Sequence, residues 1–307
     1  MLRQFCLLLL ILSLGSQVDS FALPNRPSTS SSSSSRLGLF NFGGGGTTAG
    51  GTTAKIPSTT DVRDKAAIES CKKAIERPRT ADCPLIELEF PALVALNKLG
   101  DGSLRSTMEA EEANLAFAGK LAKGISPSFF GSSSKVSIAL SSSATNSFRS
   151  KAEKAAKKSG AAVLSLSSSP SSQSSLADDV GNDGICIFVS PASRGDYTAA
   201  QQLAKSGSAK AVVIVNAFAK DPRSVPGEAT MAYFYKPLTY NSQVAGYLIR
   251  SYPSVWTVLD ATTKDVLGTF SDEEILVKGT NTPDLRASGK MVQRSVDERA
   301  IAARNNR

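Results

Sequence analysis

Two continuous apolar runs constrain the fold of this chain more than any other feature. Gly184–Ser190 (GICIFVS) and Ala211–Asn216 (AVVIVN) are rich in β-branched residues, and a helical pattern lies between them from about Tyr197 to Ser206. Strands have this composition when the helices of β-α-β crossovers cover both faces of a parallel sheet. We therefore predict that Ile185–Val189 and Val212–Val215 are neighbouring, buried, parallel strands of a doubly wound sheet.

The flanking patterns extend this sheet on both sides. Upstream, helical periodicity, stop residues and alternation predict helices over 62–76, 106–123 and 148–159 and strands over 85–90, 135–140 and 161–166. Downstream, four short strands at close spacing, over 231–235, 247–251, 255–260 and 265–270, leave room only for turns, which predicts antiparallel hairpins. The fold class is therefore α/β, a doubly wound, mostly parallel central sheet flanked by helices, with C-terminal antiparallel hairpins. The charged final segment is predicted to fray.

The first 60 residues have the composition of a two-part leader. Residues 1–20 combine Arg3, the apolar run Leu7–Leu12 and a small polar stretch, the order of a secretory signal peptide. That run is shorter than the roughly 20 apolar residues that a membrane span needs, although a retained anchor is the alternative. Residues 21–60 are rich in Ser, Gly and Thr and contain no acid, a composition that cannot bury a core and that transit peptides share.

The junction between these parts, with Phe21 directly after Ser20, resembles the two-part plastid leader of algae with complex plastids. The resemblance implies plastid import, to the stroma or the thylakoid surface; secretion with a linker is the alternative. The predicted organisation is a signal peptide (1–20), a disordered transit or linker segment (21–60), one α/β domain (61–277) and a basic C-terminal tail (278–307).

The net charge of +8 lies mostly outside the predicted domain. Residues 61–277 carry 24 cations against 23 anions, whereas the tail carries seven against three. A nucleic-acid-binding domain needs a basic stripe on its folded body, so no nucleic-acid partner is expected for the domain. Weak contact of the basic tail with RNA, or peripheral contact with anionic lipid, stays open.

Histidine is absent and the cysteines have no metal-binding spacing. The first fact excludes Ser-His-Asp and Cys-His catalysis and His-ligated metals. Cys71, Cys83 and Cys186, the cysteines beyond the leader, are odd in number and contain no C-x-x-C pair, which argues against a disulfide framework and against structural zinc. We predict no metal, no cofactor and no catalytic residue, and an enzymatic role is not the favoured interpretation.

The most suggestive ligand site follows the strand at 184–190. Ligands of doubly wound sheets bind beyond the carboxyl ends of the strands, and helix N-termini attract anions. The residues that meet this description are Ser190, Ser193, Arg194, Gly195 and Asn216, which predict a phosphate or carboxylate site. The alternative is that Asp196 caps the helix and that the others are ordinary loop residues.

Two further patterns have both a structural and a functional interpretation. Glu87 and Glu89 share one face of a strand, so either a cation bridges them or they lie on an exposed strand face. The aromatic residues of the C-terminal half, Tyr233, Phe234, Tyr235, Tyr240, Tyr247, Tyr252 and Trp256, suit either core packing or an exposed protein interface.

An ordered set of short motifs resembles a known family. Leu88–Pro91 (LEFP), Val213–Ala217 (VIVNA), Tyr235–Leu238 (YKPL), Gly246–Pro253 (GYLIRSYP) and Val255–Trp256 (VW) occur in this order. Over roughly residues 60–277 the chain is similar to a plastid and cyanobacterial domain-of-unknown-function family. Its members include a chloroplast factor for photosystem II accumulation and a domain fused behind a chloroplast adenylate kinase.

The resemblance implies a plastid location and a role in assembling or maintaining photosystem II, with no catalytic residue to carry over. The first hypothesis is therefore a non-enzymatic interaction or assembly factor whose partners are photosystem II or thylakoid proteins. The second is a binder of phosphorylated small molecules, or an enzyme acting on them, that uses the loops after the strands.

Overall fold

The fold consists of one nine-stranded mixed sheet with helices packed against it. A computed structural model describes residues 55–77, 84–92, 104–125, 135–166, 173–218, 220 and 227–305, all within the compact unit Thr48–Arg307. The strands are β1 (Leu85–Glu89), β2 (Val136–Leu140), β3 (Ala162–Ser165), β4 (Ile185–Val189), β5 (Ala211–Val215), β6 (Ala229–Tyr240), β7 (Gln243–Ser251), β8 (Trp256–Asp260) and β9 (Val266–Phe270). The helices described are α1 (Thr60–Ile75), α2 (Leu104–Gly124), α3 (Asn146–Ser159), α4 (Gln173–Val180), α5 (Arg194–Lys205), α6 (Asp272–Val277) and α7 (Leu285–Asn305).

The strand order is β3-β2-β4-β5-β1-β6-β7-β8-β9. All pairs from β3 to β6 are parallel, and β6 to β9 form antiparallel pairs. The pairing of β4 with β5 is parallel and places Ile187 opposite Val213, both fully buried. The predicted fold class is therefore confirmed.

Helices cover the two faces of the sheet unequally. We call the face that carries α1, α2 and α3 the front face and the opposite one the back face. On the back face, α4 and α5 cover β3 to β5, and α6 and α7 cover β6 to β9. We refer to β1–β5 with their helices as the parallel half, and to β6–β9 as the hairpin half. On the front face of the hairpin half, Ile56, just ahead of α1, packs against Ile249 and Leu259.

Strand β6 is longer than predicted and continues through Pro237. On one side β6 pairs with β1 only as far as Phe234, and on the other it pairs with β7 from Tyr233 to Tyr240. At Pro237, which is opposite Tyr247, β6 therefore has a strand partner on one side only. A proline is accepted there because it lacks only one N–H group, which has no ladder to join on the open side.

Two predicted helix limits differ from the structure. Helix α2 begins at Leu104, so Ser106 lies in its first turn instead of ahead of it. Helix α5 begins at Arg194, so the N-cap is Ser193 and not Asp196. The Ser193 side chain accepts a hydrogen bond from the backbone N–H of Asp196. In return, the Asp196 carboxylate accepts a hydrogen bond from the backbone N–H of Ser193. This reciprocal arrangement is a capping box.

The prediction that the final segment frays is wrong. Leu285–Asn305 is a helix that lies across all four strands of the hairpin half. Its buried positions are Ser288 and Val292, and its Arg299 and Ser295 bind Asp260 at the end of β8. A small or polar contact face of this kind gives no apolar periodicity in the sequence, which is why the helix was missed. Within the described residues, none of the helices has both the length and the apolar composition that crossing a membrane requires.

Candidate functional site at the carboxyl edge of the sheet

The loops after β2 and β4 meet at a reversal of the chain's path. From β2 the chain adds β3 on one side and then returns to place β4 on the other side. Such a reversal is where open α/β sheets form a ligand crevice. Here it brings Ser141–Ser143, after β2, next to Ser193 and Asp196 at the start of α5.

The carboxylate of Asp196 occupies the centre of this crevice. Its Oδ2 accepts hydrogen bonds from Ser141 Oγ (2.7 Å) and the Ser193 backbone N–H (3.1 Å), and its Oδ1 accepts two from Ser142, from the backbone N–H and from Oγ (both 3.2 Å). Burial by itself would raise the pKa of Asp196, but these hydrogen bonds outweigh it and hold the pKa below its usual value. The position in which an external anion would be bound therefore already holds an internal one.

A second buried network joins β4, β5 and β1 through Asn114 of α2. Asn114 Nδ2 donates to Ser190 Oγ (2.7 Å), and Asn114 Oδ1 accepts from Asn216 Nδ2 (2.6 Å). Asn216 Oδ1 in turn accepts from the backbone N–H of Phe90 (2.8 Å). Ser190 and Asn216 both have φ of 47°, the left-handed region that non-glycine residues rarely adopt, and these side-chain bonds hold them there.

The predicted anion-site residues thus fall into two groups. Ser190 and Asn216 are buried and joined through Asn114, whereas Ser193 caps α5, and Arg194 and Gly195 are exposed at its first turn. All five residues lie at the carboxyl edge of the sheet, but their polar atoms do not face one open cavity. The anion site stays a prediction, and a ligand there would have to bind beside the Asp196 carboxylate.

Glu87, in the middle of β1, is a residue for which the sequence allowed two interpretations, and the structure decides between them. Its side chain is 5 % exposed, so an exposed strand face does not describe it. The cation that bridges the two acids is Lys220: its Nζ lies 2.8 Å from Glu87 Oε2 and 3.2 Å from Glu89 Oε2. Tyr197 of α5, itself buried, donates its hydroxyl to Glu87 Oε1.

Lys220 belongs to the connection between β5 and β6, the two strands that flank β1. Burial by itself would lower the pKa of Lys220, but the negative charges of Glu87 and Glu89 outweigh it and raise the pKa. The ammonium of Lys220 is therefore charged at neutral pH. The cluster ties this connection and α5 to β1, since removing one partner would leave a buried charge without its counter-charge.

A surface cleft of about 350 Å³ lies between α1 and α2 on the front face. Its lining residues are Asp61, Asp64, Lys65, Ile68, Glu69, Lys72, Lys120 and Gly124. Asp64 is buried and accepts from Lys120 Nζ (2.7 Å) and from Arg63 Nη2 (2.6 Å). Hydrogen bonds to Asp64 and Asp61 raise the pKa of Lys120. None of the predicted anion-site residues lines this cleft, and its charges of both signs are largely paired with one another.

The two described cysteines lie in the interior of the fold. Cys71 and Cys186 are buried, and burial raises the pKa of the Cys71 thiol to about 12, so it stays protonated and unreactive. Cys83 lies outside the described residues. Across the described ranges, no three Cys, Asp or Glu side chains are grouped closely enough to hold a metal ion.

Sequence reasoning missed Asn114, Tyr197 and Lys220. Asn114 lies on the apolar stripe of α2, between Ala110 and Phe117, and a lone polar residue on a buried face is a usable indication of a buried network. Lys220 gave no such indication, because it contacts β1 across a sequence separation of 133 residues.

The fold and this edge define a class of protein: a doubly wound α/β domain whose polar residues at the carboxyl ends of the strands bind one another. The family model for a domain of unknown function (DUF1995) matches residues 63–274, and the chain belongs to that family. No curated protein matches the chain, and no solved structure does.

Proposed function

We propose that this chain is a non-enzymatic interaction factor of the plastid that assists the accumulation of photosystem II by binding photosystem or thylakoid proteins. Family membership and the similarity of the motifs to a family with such a member support the proposal. The composition of residues 1–60 supports the plastid location. The internal pairing of Asp196, Ser190 and Asn216 argues in the same direction, since it leaves little free chemistry at the usual ligand edge.

The observation that carries the proposal is an uncharged front face on the hairpin half. Two rows of side chains cross its four strands: Pro237, Tyr247, Leu259 and Val266, and then Tyr235, Ile249, Thr257 and Thr269. None of these eight residues is charged, and interface cores are depleted of charge and enriched in aromatic rings. We call these two rows the uncharged rows.

Part of the uncharged rows is open to solvent. Val266 is 46 % exposed, and Thr269 in the second row is also exposed. The rings of Tyr235 and Tyr247 stack at 5.3 Å between centroids, with an interplanar angle of 14°, and both are half-buried. By contrast, Tyr233, Phe234 and Trp256 are core residues, so core packing describes part of the aromatic set, and the proposed interface uses Tyr235 and Tyr247.

The test is affinity purification from plastids with matched variants. Val266→Asp places a charge in the uncharged rows, and Val62→Asp places one on α1, at a position of similar exposure (49 %). We expect the wild type and Val62→Asp to recover photosystem II or thylakoid proteins, identified by mass spectrometry. Val266→Asp should recover at least about tenfold less, equivalent to about 1.4 kcal/mol of binding.

Two results would overturn the proposal. One is recovery of no photosystem or thylakoid protein together with normal photosystem II levels in a deletion strain. The other is equal recovery by both variants, which would remove the uncharged rows from the interface. The location is tested separately by imaging residues 1–60 fused to a fluorescent reporter, and secretion of that fusion would reject it.

A second candidate function is binding of a phosphorylated small molecule at the start of α5. The observation in its favour is that the Arg194 side chain is exposed beside Ser193, at the N-terminus of a twelve-residue helix. The Asp196 carboxylate, three residues from Ser193, opposes it.

A further inference from the structure

Helix α7 is seated in a groove that is built to receive a helix. On the back face of the hairpin half, Val292 of α7 joins a cluster with Leu238, Leu248 and Val258. Two glycines of the strands permit this approach. A Cβ on Gly246 would clash with Val292 and would lie 2.8 Å from the carbonyl oxygen of Leu259, and one on Gly268 would lie 2.7 Å from Met291 Sδ. We call this surface the α7 groove.

The helix itself is held by a narrow seam. Of its residues Leu285–Asn305, Ser288 and Val292 are buried, and every residue from Ala300 to Asn305 is exposed. Beyond Val292, the attachments are polar: Ser295 Oγ donates to Asp260 Oδ2 (2.8 Å), Arg299 pairs with the same oxygen, and Tyr240 donates to Asp297 (3.1 Å). Segments held by few buried apolar contacts open more easily than the core beneath them.

The α7 groove lies within the stretch that the family model matches, whereas helix α7 lies beyond it. Gly246, Asp260 and Gly268 lie inside the matched stretch 63–274, whereas α7 begins at Leu285, beyond it. The receiving surface therefore lies within the matched stretch, and its occupant lies beyond it.

We propose that the α7 groove is a docking site for a helix of a partner protein and that α7 covers it when the partner is absent. This rests on the proposed function and names a surface for it. The chemistry of the partner helix is given by α7: small residues and a valine at positions equivalent to Ser288, Val292 and Ser295, then an arginine one turn later that reaches the buried Asp260. Amphipathic helices bind grooves in this way through anchors at i, i+4 and i+7.

The experiment uses the full chain and a labelled peptide of residues 283–305. A protease site inserted after Gly279, which is exposed and precedes α7, allows α7 to be cut from the domain without removing it. The cleaved protein should stay folded and bind the peptide saturably. The intact chain should bind it at least tenfold more weakly, because a tethered helix competes at an effective concentration in the range of about 1 mM.

Matched variants of the intact chain sharpen this test. Arg299→Ala loosens α7, so that variant should bind the wild-type peptide more tightly than the intact wild type does. Arg294→Ala is the control, because Arg294 is 75 % exposed in its side chain and pairs with Glu298 of its own helix. A peptide carrying Arg299→Ala should bind the cleaved protein about tenfold more weakly than the wild-type peptide.

Hydrogen exchange on the intact wild type gives an independent measurement. We expect the amides of α7 to exchange before those of β7 and β8, as a separately opening unit. Exchange of α7 only together with these strands, unfolding on cleavage, or equal peptide binding by the intact and cleaved forms would each overturn the proposal. A concentration-dependent dimer of the intact chain would also overturn it, since the groove would then serve self-association.

These results are separable from the proposed function. The peptide experiment uses purified components, whereas the affinity purification reports on photosystem and thylakoid proteins and on the opposite face of the sheet. If the peptide experiment failed while the affinity purification still recovered those proteins, only the proposal for the α7 groove would be rejected.

Discussion

The two halves of the sheet differ in how their second face is covered. In the parallel half, β2, β4 and β5 are buried along their whole length, because the crossover helices α2 to α5 lie on both sides. In the hairpin half, β6 to β9 are joined by turns, and helices α6 and α7 cover the back face. The hairpins therefore leave part of an uncharged front face open at β9, although β8 is buried along its whole length. The comparison separates strands that are packed on both faces from a partly exposed edge that we propose for recognition.

The largest expected difference concerns side-chain truncation in the two halves. Ile187→Ala leaves a cavity in β4, which is packed on both faces, and should lower the free energy of unfolding by about 2–5 kcal/mol. Val266→Ala, in the partly exposed β9, should change it by less than about 0.5 kcal/mol. Urea unfolding of both variants measures the two values, and similar losses would contradict the proposed division.

The next effect tests the close approach of α7 to the hairpin half. Gly246→Ala places a methyl group against Val292 and the carbonyl oxygen of Leu259, so it should cost about 1–3 kcal/mol through overpacking. Gly289→Ala is the control, because no atom lies within 4 Å of the added Cβ and alanine favours the helix by up to about 1 kcal/mol. Thermal unfolding should rank Gly289→Ala above the wild type and Gly246→Ala below it. The reverse order would mean that α7 does not pack here.

The hairpin half should also show a specific loss of stability in acid. Burial by itself would raise the pKa of Asp260, but hydrogen bonds from Arg299, the backbone N–H groups of Thr263 and Thr262, and Ser295 outweigh it and lower the pKa from 3.8 to about 2. Because the folded-state value is the lower one, the stabilisation is present above about pH 4 and is lost as the pH falls towards 2. It amounts to about 2 kcal/mol.

Asp260→Asn should remove this pH dependence between pH 4 and pH 2, whereas Asp265→Asn, at an exposed position in the adjacent turn, should keep it. Denaturant unfolding across this pH range makes the comparison. An unchanged slope in Asp260→Asn would show that the Asp260–Arg299 contact does not hold α7 in solution.

The smallest expected effect is at the carboxyl edge of the parallel half. If recognition belongs to the hairpin half, nucleotides and sugar phosphates should give no thermal shift, and Arg194→Ala should change stability by less than about 0.5 kcal/mol. A bound ligand at a hundredfold excess over Kd would stabilise the fold by about 2.7 kcal/mol. A shift of that size that Arg194→Ala abolishes would establish the anion site instead.

Local patterns predicted the strands of both halves, but not every helix, and not the contacts between the elements. The apolar runs of β4 and β5 and the close spacing after Asn216 were sufficient for the fold class. Helix α7 was missed because its contact face contains Ser288, Ser295 and Arg299 in place of an apolar stripe. A pattern within one element does not indicate which distant element will supply the counter-charge of a buried charge. Nor does it indicate which element will pack against a small residue.

The candidate site illustrates the same limit. Ser190 and Asn216 follow their strands as predicted, and parallel register alone makes them neighbours, since Val189 is opposite Val215. That Asn114 would join them, and that Asp196 would fill the crevice beside them, depends on where α2 and α5 cross the sheet. Register is a local property of paired strands, whereas the crossing point of a helix is set by packing over the whole face.

The position of β1 has a consequence for the way this protein is made. The first strand of the described residues, β1, is bordered by β5 and β6, so Leu85 must wait for Val212 and Ala229 to be synthesised before it has a neighbour on either side. Ribosomes release the N-terminus first, and a sheet whose middle strand is the earliest to emerge cannot close until most of its length is available. Each half is therefore incomplete without the other, and a nascent chain stays open until the hairpins have been synthesised.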